Sequence, residues 1–168
     1  MENNNITIQQ KQAYDLIANT YTSFFLTGKA GSGKTTFLRS IGVNLALAYA
    51  GAPVVAERFM TSYMEVFTSM RIEDRVDEGI STFYAELLRI KEMIEYSERH
   101  LPMLALIDEI FRGTNSADRI LGATQTITKL GKPWLNVMVT THDFELCNLA
   151  EESKRNTLNY HFEIAADM

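Results

Sequence analysis

Apolar and polar positions along the chain follow two periods. Residues 23–27 (SFFLT), 103–107 (MLALI) and much of 134–140 (WLNVMVT) are short apolar runs bounded by glycine, proline or charge. Runs of this length predict buried strands. Between them apolar residues recur every three to four positions. That spacing predicts helices over 9–18 (Ala13, Leu16 and Ile17 on one face), 35–50, from 81 or 82 to about 98, 116–130 and 144–152. Gly51 with Pro53, and Gly131 with Pro133, supply stops. Ser81 or Thr82 supplies a cap, with Glu86 close to the capping-box offset. Residues 54–56, 63–72 and 158–164 are further strand candidates, the second alternating partly through Tyr63, Val66 and Phe67. Strands and helices alternate in order. This predicts an α/β domain with a mostly parallel sheet covered by helices on both faces. Ligands bind such sheets beyond the C-terminal strand ends.

Composition narrows the class. At 168 residues the chain has the size of one domain, which on folding withdraws roughly 70% of its unfolded surface from water. Hydrophobic residues make up 46% and charged residues 22%, which argues against disorder, collagen or coiled coil. Lys and Arg number 16 and Asp and Glu 21, a net charge of −5. An acidic chain lacks the basic footprint that holds a nucleic-acid backbone. DNA contact is therefore expected only through a weak local patch or through other domains. Arg71, Arg75, Arg112 and Arg119 are scattered among acids such as Glu73, Asp74 and Asp118, and read as a solvated or interface face. Met60, Met64 and Met70 read as core or interface padding, and His100 and His161 as turn residues. The sole cysteine, Cys147, can form no internal disulfide, which fits a reducing cytosol. The longest apolar stretch, 45–56, is interrupted by Gly51 and Pro53 and is short of the about 20 residues a membrane helix needs. The start MENNNITIQQ has neither a basic region nor an apolar one of the secretory kind. The expected location is cytoplasmic, without membrane contact.

The chemistry concentrates at two strand ends. Gly28-Lys29-Ala30-Gly31-Ser32-Gly33-Lys34-Thr35 matches G-x-x-x-x-G-K-[ST] between a predicted strand and a predicted helix. Glycines let successive N–H groups turn inward. The helix N-terminus adds partial positive charge. Lys34 is then expected at the β- and γ-phosphates of ATP, the Thr35 hydroxyl at Mg²⁺, and Thr36 completes the nucleotide-binding set. The strand 103–107 runs straight into Asp108 and Glu109. Asp108 suits Mg²⁺, directly or through water, and Glu109 suits the positioning and deprotonation of an attacking water. These readings predict a P-loop NTPase.

Further segments follow in order: Phe37-Leu38-Arg39-Ser40-Ile41-Gly42, Ala50-Gly51-Ala52-Pro53-Val54, Gly79-Ile80-Ser81-Thr82-Phe83 with Glu86, Leu106-Ile107-Asp108-Glu109, Gly113-Thr114-Asn115-Ser116-Ala117-Asp118, and Thr140-Thr141-His142-Asp143-Phe144. From Phe37 onward this order resembles the ATPase domain of MutS-family mismatch-repair proteins, which are ABC-type ATPases. The resemblance implies that Ser81 lies in the signature segment and reaches the γ-phosphate held by a second copy. It implies that the stretch from Gly113 to Asp118 is a D-loop crossing the dimer interface, and that His142 is the switch histidine at the γ-phosphate. It also implies a two-fold homodimer held by ATP and released by hydrolysis. Ser81 equally suits a plain helix cap, His142 a turn, and Asn115 with Ser116 a cap.

Residues 1–36 differ. MutS proteins usually carry a G-P-N-x-x-G-K-S-T loop preceded by an antiparallel β-subdomain. Here the loop reads GKAGSGKTT, and the lead-in ITIQQKQAYDLIANTYTSFFLT resembles the start of Pif-type superfamily-one DNA helicases. That resemblance implies that Gln10 reads the adenine edge; Gln10 also suits a solvated helix face. The chain thus looks like two phosphate-loop ATPases joined at GKTTFLR, a chimera whose sheet lacks antiparallel edge strands and has an exposed edge. The expected activity is Mg²⁺-dependent ATP hydrolysis, coupled to dimerisation and to mismatch repair or related DNA transactions. The rivals are a helicase-like ATPase acting without dimerisation and a nucleotide-gated interaction module without turnover.

Overall fold

The computed structural model describes residues 23–70, 82–149 and 157–162. In chain order these form β1 (Ser23–Gly28), α1 (Lys34–Tyr49), β2 (Glu65–Ser69), α2 (Thr82–Ser97), β3 (Met103–Asp108), α3 (Ser116–Leu130), β4 (Leu135–Thr140) and β5 (Thr157–Phe162). A 3₁₀ turn, Phe144–Cys147, follows β4. The sheet runs β2-β3-β4-β1-β5, and every pairing is parallel. The mostly parallel α/β expectation holds.

Burial explains why β3 and β4 are the centre. All six residues of β4 are buried, as are the first five of β3. Successive side chains on a strand point to opposite faces, and the core divides accordingly. Met103, Ala105 and Ile107 pack with Val137, Val139, Ile90 and Met93 of α2, and Ala123 and Leu130 of α3. Leu104, Leu106 and Met138 pack on the other face against Phe37, Leu38, Ile41 and Leu45 of α1. Helices therefore cover both faces. Each fully buried leucine contributes roughly 1.5–3 kcal/mol through lost apolar surface.

Several local expectations need correction. Residues 54–56 form no strand: Val55 is 85% exposed, and its N–H goes to Asn44 Oδ1 on α1 at 2.7 Å rather than to a neighbouring strand. The strand expected over 63–72 is cut to Glu65–Ser69, with Tyr63 75% exposed. Met64 is buried but Met60 is exposed, so the methionines do not act as one set. The helix expected over 144–152 starts as the 3₁₀ turn, because the Leu146 N–H bonds back to Asp143 O. The helix expected over 9–18 lies outside the described residues. His100 does close the turn after α2, at φ 58°, and also stacks on Trp134, ring centroids 4.2 Å apart. His161 sits within β5, its Nδ1 3.1 Å from Thr27 Oγ1. Among the described residues no helix is long and apolar enough to cross a membrane.

Parallel pairing puts the C-terminal ends of all five strands on one edge. Asp108 lies level with Thr140, and Thr140 level with Leu26. The end of β1 therefore stands beside the ends of β3 and β4.

Candidate functional site

The loop after β1 is shaped by its glycines. Gly28 has φ 141°, and a Cβ there would sit 2.3 Å from Phe162 O at the end of β5. Only glycine fits. Gly33, at φ 86°, caps α1 without any side-chain hydrogen bond. The first N–H groups of a helix have no intrahelical partner, so this end carries donors and partial positive charge suited to an anion. Lys29, Ala30 and Gly31 are exposed at the loop tip, and a Cβ on Gly31 would meet nothing within 4 Å.

Lys34 is only 6% exposed. Its Nζ donates to Gly28 O at 2.7 Å, Lys29 O at 3.0 Å and Ser32 Oγ at 3.4 Å. Burial pushes the ammonium below its ordinary pKa, while Glu109 and Asp108 pull it back up. The cation thus lies inside the loop, near the two carboxylates. Thr36 is exposed on α1.

Asp108 ends β3. It accepts from the Thr35 hydroxyl at 2.9 Å through Oδ1 and 3.0 Å through Oδ2, and from the Thr140 hydroxyl at 2.5 Å. Two threonines from two other elements thus converge on one carboxylate. Glu109 follows in the left-handed region, at φ 55°. Its N–H donates to both the carbonyl and the hydroxyl of Thr140 at 3.1 Å. Its Oε1 lies 2.9 Å from His142 Nε2, and its Oε2 2.8 Å from Arg112 Nη1.

The loop after β4 carries His142. Thr141, 2% exposed, donates its N–H to Leu26 O at 3.1 Å. Asp143 receives Arg119 of α3 bidentately, Nε to Oδ2 at 2.8 Å and Nη2 to Oδ1 at 2.9 Å. That bond holds the Arg119 guanidinium above its usual pKa. Asn115 caps α3 by accepting the Asp118 N–H at 3.0 Å, so the cap expectation for this pair falls on Asn115.

Glu86 does not close a capping box. It lies one residue past the offset from Thr82, and its Oε1 accepts the Phe111 N–H at 2.7 Å across the gap between α2 and β3. Burial pushes its carboxyl above the usual range, and the Phe111 N–H opposes this. Phe83 meets Phe111 edge-on at 6.2 Å, and a Cβ on Gly113 would come within 3.2 Å of Phe83.

Lys34, Thr35, Asp108, Glu109 and His142 are thus brought together. Ser81 and Gln10 lie outside the described residues, as do Arg71 and Arg75. Four contributors were missed by local pattern: Thr140, Glu86, Arg112 and Arg119. Arg112 lies on a solvated face, as expected, and contacts Glu109 from there, whereas Arg119 is largely covered and holds Asp143 at the site edge. The three-residue spacing of Glu109 and Arg112 was a usable charge signal, whereas no local spacing reports the pairing of Arg119 with Asp143.

The donor set suits a phosphate chain with a hard cation. The loop offers backbone donors and an ammonium, while Asp108 and Thr35 offer oxygen ligands. Among the described residues no group of three or more His, Cys, Asp or Glu is placed to hold a metal. Magnesium fits regardless, because it keeps several waters and takes few protein ligands.

The family model for MutS domain V matches residues 24–168. "Endonuclease MutS2" of Clostridium botulinum (strain Alaska E43 / Type E3) is 28% identical over 142 residues, covering 83% of this chain and 18% of that protein. The protein of the same name from C. botulinum (strain Eklund 17B / Type B) is 28% identical over 133 residues, 78% of this chain and 17% of that protein. The chain spans less than a fifth of the length of these relatives. The domain V match starts ahead of the glycine-rich loop and spans the expected joint at 36–37. Nothing in these similarities supports a helicase-derived segment, and the chimeric reading is withdrawn. A strand–loop–helix of this kind is common to both families, so the loop residues did not discriminate between them. By its match over 24–168, the chain belongs to the MutS domain V family.

Proposed function

We propose that this chain is a P-loop ATPase domain that binds ATP with Mg²⁺ and hydrolyses it to serve a MutS-type DNA repair protein. The observation that carries the reading is the convergence at one sheet edge. Thr35 is hydrogen-bonded to Asp108 at the end of β3, Glu109 just beyond β3 contacts His142 beyond β4, and the Lys34 ammonium lies within electrostatic reach of both carboxylates. The backbone N–H groups from Ala30 to Thr35 and the Lys34 ammonium cradle the phosphates. Thr35 and Asp108 hold Mg²⁺, which when bound neutralises charge on the phosphate oxygens. Glu109 orients a water and accepts its proton on a carboxylate oxygen. His142, in contact with that carboxylate, senses the terminal phosphate in this reading.

Ser81 completes the site of a second copy in this reading, so two protomers pack around two nucleotides with two-fold symmetry. The curated relatives are named endonucleases; the role in DNA repair is read from the MutS domain V match. With a net charge of −5, the chain itself is a poor ligand for a phosphate backbone.

The test is ATP turnover per protomer over a wide range of protein concentration, with Glu109→Gln as the blank. Turnover that rises with concentration and levels off supports a site completed in trans. Turnover above the blank but flat supports hydrolysis by each protomer alone. Turnover equal to the blank overturns the enzymatic reading.

A further inference from the structure

His142 has little to aim it from its own side chain. Its imidazole is 47% exposed and meets Glu109 Oε1 at 2.9 Å. Its two chain neighbours, by contrast, are fixed. Thr141 is buried and tied to β1 through Leu26 O. Asp143 is tied three ways: its N–H donates to Thr141 Oγ1 at 2.9 Å, its carbonyl accepts from Leu146 N at 3.1 Å, and both carboxylate oxygens accept from Arg119. The first two are contacts within the loop. Among the described residues only the Arg119 fork takes Asp143 to another part of the fold, the first turn of α3, where the Arg119 N–H bonds back to Asn115 O at 2.9 Å.

The geometry points to Arg119 as a positioning residue: through its fork on Asp143 it fixes the loop that aims His142 at Glu109. The inference rests on the ATPase reading of the site. Two parallel N–H···O bonds set orientation as well as distance, and a helix is a stiff place from which to do so. Without the fork the loop keeps its roots, Thr141 at the end of β4 and the buried Leu146 of the following turn, but Asp143 between them loses its tie to α3, and His142 drifts from its carboxylate partner. The hydrogen bonds of the Arg119 guanidinium go to Asp143 and not to the glycine-rich loop, so its effect falls on turnover and not on nucleotide capture.

A double-mutant cycle on the 168-residue chain tests this. Arg119→Ala should slow kcat about tenfold, the scale of a small misplacement, with KM for ATP little changed. His142→Ala should slow kcat too, and adding Arg119→Ala to it should cost nothing more, because the two act through one loop. Should Arg119→Ala fail to fold, the swapped pair Arg119→Asp with Asp143→Arg restores the bridge, and its turnover should exceed that of either single variant. Independent, multiplying losses in the double variant overturn the proposal, as does a wild-type rate in either single variant. If the unsubstituted chain does not hydrolyse ATP at all, the ATPase reading fails and the inference with it. If it does, and Arg119→Ala is silent, the inference alone fails.

Discussion

The Thr140 hydroxyl donates to Asp108 Oδ1 at 2.5 Å, and the two residues are also register partners across β4 and β3. One completely buried hydroxyl therefore fixes the carboxylate expected at the metal and, by accepting the Glu109 N–H, the start of the next residue's turn. Thr140→Val should cost about 1–3 kcal/mol, the price of leaving a buried donor and acceptor short of a partner. Chemical denaturation reads this. An unchanged midpoint would mean the hydroxyl is not structurally coupled to Asp108.

Lys34 lies in the loop with its charge buried and its donors met by carbonyls. Lys34→Met keeps the stem and removes the ammonium. Binding of a fluorescent ATP analogue should fall at least about tenfold, the scale of a lost charge-assisted contact. Stability in the absence of nucleotide should change little, because relief of the buried charge offsets the lost donor to Gly28 O and Lys29 O. Retained binding would remove Lys34 from the phosphate site.

Glu86 gives opposite results for two substitutions. Glu86→Ala leaves the Phe111 N–H unsatisfied and should cost about 1–3 kcal/mol. Glu86→Gln keeps an acceptor oxygen without a charge. The folded carboxyl is held above its unfolded value mainly by burial. Its stabilising contribution is therefore fully present below the unfolded pKa and is lost as pH rises through the folded one. At neutral pH Glu86→Gln should denature no earlier than the parent, and the gap should close in acid below the normal carboxylate range. Urea midpoints at several pH values measure it, and a gap that widens in acid would reverse the sign argued here.

Gly28 and Gly31 both have positive φ, but only Gly28 is hemmed in. Gly31→Ala faces open space and should cost about 1–2 kcal/mol, the left-handed backbone strain alone. Gly28→Ala adds a collision with Phe162 O and should cost more, shifting the melting temperature further. Equal shifts would place the β5 end away from the loop.

Where apolar runs were long and both ends were punctuated, pattern and structure agree within a residue or two. β1, β3, β4, α1 and α3 all fall in this group, as does the position of the Gly28–Thr35 loop. Burial on both sheet faces dictates those runs directly. The failures share a different cause. Residues 54–56 are apolar, but no strand stands beside them to accept their hydrogen bonds. Glu86 had the right type for a cap and was drawn instead to a backbone donor 25 residues away. Arg119 looks like a surface residue because its partner, Asp143, comes within reach only once α3 is packed beside the loop after β4. Local periodicity records burial well and pairing across the fold poorly.

The parallel sheet also sets when the molecule can acquire its site during synthesis. β1 is flanked by residues 135–140 and 157–162, and Ser23 pairs with Thr157 near the far end of the described chain. No tight hairpin can bring such partners together, because parallel strands need long crossovers. The glycine-rich loop hangs from β1 and is braced by Phe162, so it gains its final support among the last of the elements. Contacts this distant in sequence fold slowly. A ribosome-bound chain would hold β1 unpaired, with its hydrogen-bonding edges open to misassembly or chaperone capture, until β4 and β5 emerge.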